Sequence, residues 1–194
     1  MIYVVNFRDK IPEDSLAINT TSRSNNWSKG FSPFMLKPYC VPNCYNIENL
    51  HQFSKVYKEY IGEDGNPTQE WFRWREKGFS TRRGVRYPMG KGVKPEYSYW
   101  FGKKFDYIEA RKNIYVPIYC QSVVLSEAYM KLYEMYKKDE SDIYLIDFDG
   151  YNNEELGLSM KQVINNPKNL GHAFCIKAVL QKDIKPGTKL KVKL

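Results

Sequence analysis

Ile143-Tyr144-Leu145-Ile146-Asp147-Phe148 is the run that most constrains how this chain can fold. It is short, apolar and rich in β-favouring residues, and Asp149-Gly150-Tyr151-Asn152 ends it as a turn, so it reads as a strand. Residues 1–6 read as another short strand. Residues 189–193, after Pro186-Gly187, read as a terminal edge strand guarded by its lysines. Most of the remainder carries helical spacing. Residues 46–60 are expected to form a helix capped by Asn46, with Glu48 facing the helix dipole and Leu50, Phe53, Tyr57 and Ile61 toward the core. Further helices are expected near 70–76, over 105–120 with a kink or break near Pro117, and over about 169–181. Another is expected over 126–138, with Tyr129, Leu132, Tyr133 and Tyr136 on one face. The sum is a single, mostly helical α+β domain over 1–194 with a few short strands, and 68–104 reads as a basic, aromatic loop insertion within it.

The charge is uneven. Twelve Lys or Arg stand against four acids between Trp71 and Lys112, which equals the net +8 of the whole chain. A cluster of this kind favours a polyanionic partner, although a solvated basic face would look the same. Trp71, Trp74, Tyr87, Tyr97, Tyr99 and Trp100 interleave with these cations. Rings so placed either stack on splayed bases or pack a core. Arg82, Arg83, Arg86, Lys91, Lys94 and Trp100 are the expected DNA contacts.

No apolar run is long enough to cross a membrane, and the start has no basic flank or long apolar stretch of a signal peptide, so a cytoplasmic protein is expected. The four Cys, 40, 44, 120 and 175, then read as reduced thiols. Cys40 and Cys44 are spaced like half a zinc site, but no second ligand pair follows at a metal-site spacing. No metal and no cofactor are assigned. Gly90-Lys91-Gly92 lacks the spacing of a phosphate-binding glycine loop.

The sharpest local pattern is Glu48-Asn49-Leu50-His51-Gln52-Phe53-Ser54-Lys55. At about 100° per residue, Glu48, Gln52 and Lys55 share one helix face. An acid, an amide and an amine together are either a solvated polar face or a chemical site. Asp147, Asp149 and Tyr151 lie at a strand end, where site residues are often placed; as a turn they need no other role. Arg23, in a polar loop over 19–29, is positioned to meet phosphates. Asn169 to Gly171 opens a helix whose N-terminus suits an anion. His172 beside it reads as a satisfied structural residue.

Glu-x-x-x-Gln-x-x-Lys, preceded by Phe31-Ser32-Pro33-Phe34, resembles the NADAR family. So does the strand Tyr144 to Asp149 followed by Gly157, and so does Asn169-Leu170-Gly171 before the last helix. The order and spacing match over roughly residues 31–180. The chain departs from the family at Asn49, where the family has His, and at Asn153-Glu154-Glu155-Leu156-Gly157, which lacks the family's Trp. It looks like a divergent, phage-like branch.

The resemblance implies an N-glycosidase that acts through an imine between a lysine and C1 of a ribose. Lys55 matches the lysine and Glu48 its partner acid. Gln52, Arg23, Ser32, Phe34, Asp147, Asp149, Tyr151, Asn169 and Gly171 would contact the substrate. The expected partner is ADP-ribosylated DNA. Removing ADP-ribose from guanine would reverse a DNA-modifying toxin, a phage counter-defence. A small-molecule N-glycosidase on a riboflavin-pathway phosphoribosyl-amine, or a nucleic-acid-binding module without activity, are the other readings. An imine needs a neutral amine, so the Lys55 pKa must fall from its usual value, about 10.4, through desolvation or nearby cations. Because Glu48 pulls that pKa up, basic neighbours are expected to outweigh it.

Overall fold

The computed structural model describes residues 1–138 and 141–182. The terminal strand expected over 189–193 lies outside them. The strand that dominates the sequence becomes the centre of a parallel sheet. β6 (Ile143–Ile146) is flanked by β1 (Ile2–Val5) and β2 (Leu16–Asn19), in register Val5↔Ile146 and Asn19↔Ile146. All three strands therefore end at one level. Ile143 and Leu145 are buried, while Tyr144 and Ile146 are half-buried. β2 was not foreseen, because Leu-Ala-Ile-Asn is too short for a readable alternation.

Parallel neighbours require a crossover. Here the path from β2 to β6 contains most of the molecule. It runs through a 3₁₀ turn (Trp27–Phe31), α1 (Ile47–Phe53), β3 (Lys55–Val56), another 3₁₀ turn (Lys58–Tyr60), α2 (Gln69–Phe79), β4 (Tyr97–Trp100) and β5 (Lys103–Phe105). α3 (Tyr107–Ala110), a π-helical turn (Arg111–Tyr115), α4 (Val116–Val123) and α5 (Glu127–Lys138) complete it. α6 (Met160–Asn165) and α7 (His172–Leu180) follow β6. α7 packs against β1, β6 and α4, and every one of its residues is buried. Lys177, the one lysine on α7, is satisfied by Asn153 Oδ1 at 2.8 Å and Glu154 Oε1 at 2.7 Å, which ties the 153–158 loop to the core. The described residues form a single α+β domain, and among them no helix is long and apolar enough to cross a membrane.

The break expected near Pro117 is the π-helical turn just before it. Proline has no N–H to donate to the preceding turn, and widening that turn is one way to absorb the loss. On α5 the buried residues are Ala128 and Leu132; Tyr133 and Tyr136 are exposed, so the expected tyrosine face points largely to solvent.

Two expectations fail in an informative way. The helix over 46–60 stops at Phe53. Tyr99 N–H takes the Ser54 carbonyl at 2.8 Å, Trp71 Nε1 donates to the Lys55 carbonyl at 2.8 Å, and Lys55–Val56 pairs antiparallel with Ser98–Tyr97. Tertiary hydrogen bonds thus claim the backbone that periodicity would continue as helix. The segment 68–104, expected as a short helix near 70–76 followed by long surface loops, supplies those partners: the helix is there and is longer, and the loops contain a hairpin. It holds α2, capped by Thr68, and the β4–β5 hairpin. Trp71 is fully buried, and Gly78 lets α2 lie directly on the Phe53 ring, where any Cβ would overlap it.

Candidate functional site

A cleft of about 440 Å³ opens beyond the C-terminal ends of the parallel strands. This is where twisted parallel sheets commonly hold ligands, because the connections diverge there. β2 delivers Thr21 and Arg23 to the cleft, and β6 delivers Asp147 to Asp149. α1 delivers Glu48, His51 and Gln52, and α7 enters through Asn169 to His172. Lys55 is no longer on the helix, yet it still completes the row. Its Nζ donates to Gln52 Oε1 at 2.8 Å, and Gln52 Nε2 donates to Glu48 Oε1 at 3.0 Å.

The base of α1 is held from both sides. Asn46 caps the helix through Asn49 N–H at 2.8 Å. The buried Asn49 side chain donates to the carbonyls of Thr81 and Arg83 and accepts from Val85 N–H. A buried amide with these bonds satisfied is a rigid support. It straps the 81–86 segment beside the cleft and brings Arg86 to its wall.

Three ionisable groups are displaced from their ordinary values. Burial raises the Glu48 carboxyl; Gln52, Arg86, Lys55 and His172 offset this only in part. Burial lowers the half-buried Lys55 amine to about 8, against the upward pull of Glu48. Of the two causes expected, desolvation supplies the depression and outweighs Glu48 by itself, without the basic neighbours. With that value, about one amine in ten is neutral at pH 7. His51 lines the same wall and is held well below its ordinary value by burial, then by Lys55 and Arg111, so it is neutral.

Asp147 and His172 form a buried pair. Nδ1 of His172 lies 3.0 Å from Asp147 Oδ2, and Nε2 lies 2.7 Å from the Thr20 carbonyl. Burial works against charge on both, but their mutual attraction and hydrogen bonds prevail, so His172 is raised and Asp147 lowered. Asp147 Oδ2 also accepts the Ala173 N–H at 3.0 Å. The N-terminus of α7, expected to await an external anion, thus already holds the protein's own carboxylate. Gly171 is required there, since a Cβ would stand 2.7 Å from that oxygen.

Arg23, Ser32, Phe34, Glu48, Gln52, Lys55, Arg86, Asp147, Asp149, Asn169 and Gly171 all line the cleft. Tyr151 does not: its ring packs on Phe174 at 4.7 Å. Arg82 and Arg83 are exposed on the strap, and Lys91 and Lys94 are exposed without lining the cleft. Trp100, expected to stack on DNA, is only 8% exposed and packs beside Phe79 and Phe101, because β4 turns it inward. Among the described residues no cluster of His, Cys, Asp or Glu is arranged to hold a metal.

His51, Arg111 and Tyr115 were not foreseen. His51 was legible, three residues after Glu48 and four before Lys55 on the same face. Arg111 is buried and spends its guanidinium on the carbonyls of Ile164, Asn166 and Lys168, so it fixes the loop leading to α7 while lending the cleft positive charge. No spacing could reveal those three acceptors. The arrangement as a whole offers a partly neutral amine, a raised carboxyl and a cationic wall, which suits attack on an electrophilic carbon of an anionic substrate. Compared with family models, curated proteins and solved structures, the chain matches none of them.

Proposed function

We propose that the chain is an N-glycosidase that releases ADP-ribose from guanine in DNA through an imine on Lys55, as its resemblance to the NADAR family implies. The observation that carries this reading is the Lys55 amine, desolvated to about 8 at one end of a hydrogen-bonded row whose other end is a raised carboxyl. A nucleotide-sized cleft with Arg23, Arg86 and Arg111 on its walls is consistent with a diphosphate-bearing ligand.

Neutral Lys55 attacks C1 of the ribose, and the C1–N bond breaks with its electrons going to the base, which takes a proton from Glu48. The new ammonium returns a proton to Glu48. That proton then passes to the ring oxygen as the C1–O bond opens, leaving an iminium. Water adds to C1 and gives a proton to Glu48. Glu48 protonates Nζ, the C1–Nζ bond breaks with its electrons going to Nζ, and the hydroxyl proton returns to Glu48, so free lysine and ADP-ribose result. Gln52 positions the amine and carboxyl relative to each other.

Incubation with DNA carrying ADP-ribosylated guanine, followed by mass spectrometry, is expected to show ADP-ribose and unmodified DNA. Borohydride is expected to link the sugar to Lys55. Full activity in Lys55→Ala would end this reading. Loss of activity on DNA alone after charge reversal at Arg82, Arg83 and Lys94 would separate it from a small-molecule glycosidase.

A further inference from the structure

The molecule has a second cavity, of about 1060 Å³, between the 37–45 loop, α2 and the β4–β5 turn. Two features set it apart. Trp100 Nε1 and Arg75 Nε, both on residues that line it, are buried donors without any acceptor among the described residues. Buried polar groups in folded proteins nearly always have partners, so two orphan donors at one cavity call for an explanation. The turn that closes the cavity is also strained. Trp100 pairs with Lys103, so Phe101-Gly102 is a two-residue hairpin loop, and both residues have positive φ, 45° and 75°. That is the geometry of a type I′ turn, which favours Asn-Gly. A bulky aromatic in its first position is an outlier, and such strain collects where a ligand needs the side chain. Phe101 is 52% exposed and lines the cavity.

The remaining walls decide the ligand. Arg73, Arg75, Lys77 and Lys37 line the cavity against one acid, Glu76. Tyr45, on its rim, carries Arg82 over its ring at 5.7 Å. From there the strap leads to the first cleft: Ser80 lines the cavity, Arg82 and Arg83 are exposed between, and Arg86 lines the cleft. That path is at most about 20 Å long.

We propose that this cavity holds one nucleotide of a single strand. Its base stacks on Phe101, its acceptor edge reaches the covered Trp100 and Arg75 N–H groups through a shift of the side chains over them, and its phosphate meets Arg73 and Lys77. The strand then follows Arg82 and Arg83 to the cleft. Occupancy of the cavity is independent of the reaction; only the path onward to the cleft rests on the glycosidase reading.

The test is fluorescence anisotropy with an unmodified single-stranded oligonucleotide of about eight nucleotides and the full chain. Phe101→Asn keeps the turn and removes the ring; it is expected to weaken binding at least about fivefold. Arg75→Gln is expected to weaken it about tenfold, and Lys77→Gln, which loses a phosphate contact, to reduce the salt slope by about one. Trp100→Phe keeps an aromatic ring, smaller than the indole, and loses the N–H, for a loss of about threefold. Unchanged affinity in Phe101→Asn, whose side chain is on the surface and not part of the core, would overturn the proposal even if Arg75→Gln folds poorly. A mononucleotide that competes as well as the oligonucleotide would overturn the strand. If these shifts appear but no ADP-ribose is released, the cavity stands and the glycosidase reading falls. If turnover is normal and no shift appears, the reverse holds.

Discussion

The two cavities share a basic rim but differ in how their polar groups are finished. In the cleft, Glu48, Gln52 and Lys55 bond in series, and Asp147 and His172 bond to each other and to backbone. At the second cavity, Trp100 Nε1 and Arg75 Nε are buried without an acceptor and Phe101 is held in a left-handed turn. A site that performs chemistry gains from groups fixed before the substrate arrives, since reorganisation during the reaction adds to the barrier. A site that only binds can leave donors open for the ligand to complete. The contrast therefore separates a region built to react from one built to hold.

The largest expected break in that contrast is Lys55→Ala. It should lower kcat on ADP-ribosylated DNA on the order of 10⁴-fold, as loss of a nucleophile does, with oligonucleotide binding unchanged. Rate and anisotropy measured together check it. Next is Asp147→Asn, which leaves the buried His172 without its counter-charge and is expected to cost about 3 kcal/mol in urea unfolding. The pair also makes stability depend on pH. His172 is raised, so its contribution is complete below the ordinary histidine value of 6.5 and is lost as pH rises through the folded value. Asp147 is lowered, so its contribution is complete above 3.8 and is lost as pH falls through its folded value.

A smaller effect sharpens the chemistry. Attack needs Lys55 neutral and Glu48 protonated together. Glu48 is raised above 4.5 and Lys55 lowered to about 8, so kcat/KM is expected to be bell-shaped. Above about 8 activity falls as the remaining Glu48 acid disappears faster than neutral amine is gained. Glu48→Gln should lose about 10²-fold and remove that alkaline fall, leaving activity that rises with pH to a plateau. It should also lower the Lys55 pKa, because Glu48 pulls it upward. A profile that stays bell-shaped in Glu48→Gln would assign the proton to another group.

Legibility in the sequence follows the same division. The cleft was readable because its parts are local: Glu48, Gln52 and Lys55 lie within eight residues, and Asp147 ends the most obvious strand. Which of desolvation and nearby cations shifts Lys55 was not readable, since desolvation depends on what covers the amine. Nor was the helix end, because Ser54 and Lys55 give their carbonyls to Tyr99 and Trp71, distant in sequence. The second cavity was hidden altogether. Its turn residues Phe101-Gly102 carry only half of the Asn-Gly signal, and its cations looked like a uniform basic surface. Whether Trp100 points outward is set by strand register, which no composition reveals.

The smallest expected effect has the opposite sign to the others and tests the contrast most directly. If Phe101 is kept at positive φ for binding, removing it should stabilise the fold while weakening the ligand. Asn tolerates that backbone region and suits the first position of the turn, so Phe101→Asn is expected to raise unfolding free energy by about 1 kcal/mol. The ring forfeits its edge contact with Trp100 at 5.2 Å, but it is half exposed, so less is lost than the relieved strain returns. Equilibrium unfolding in urea would show a higher midpoint with the slope unchanged. A lower midpoint would mean that Phe101 holds the turn in place for stability, and the second cavity would then be an imperfection of packing and not a site.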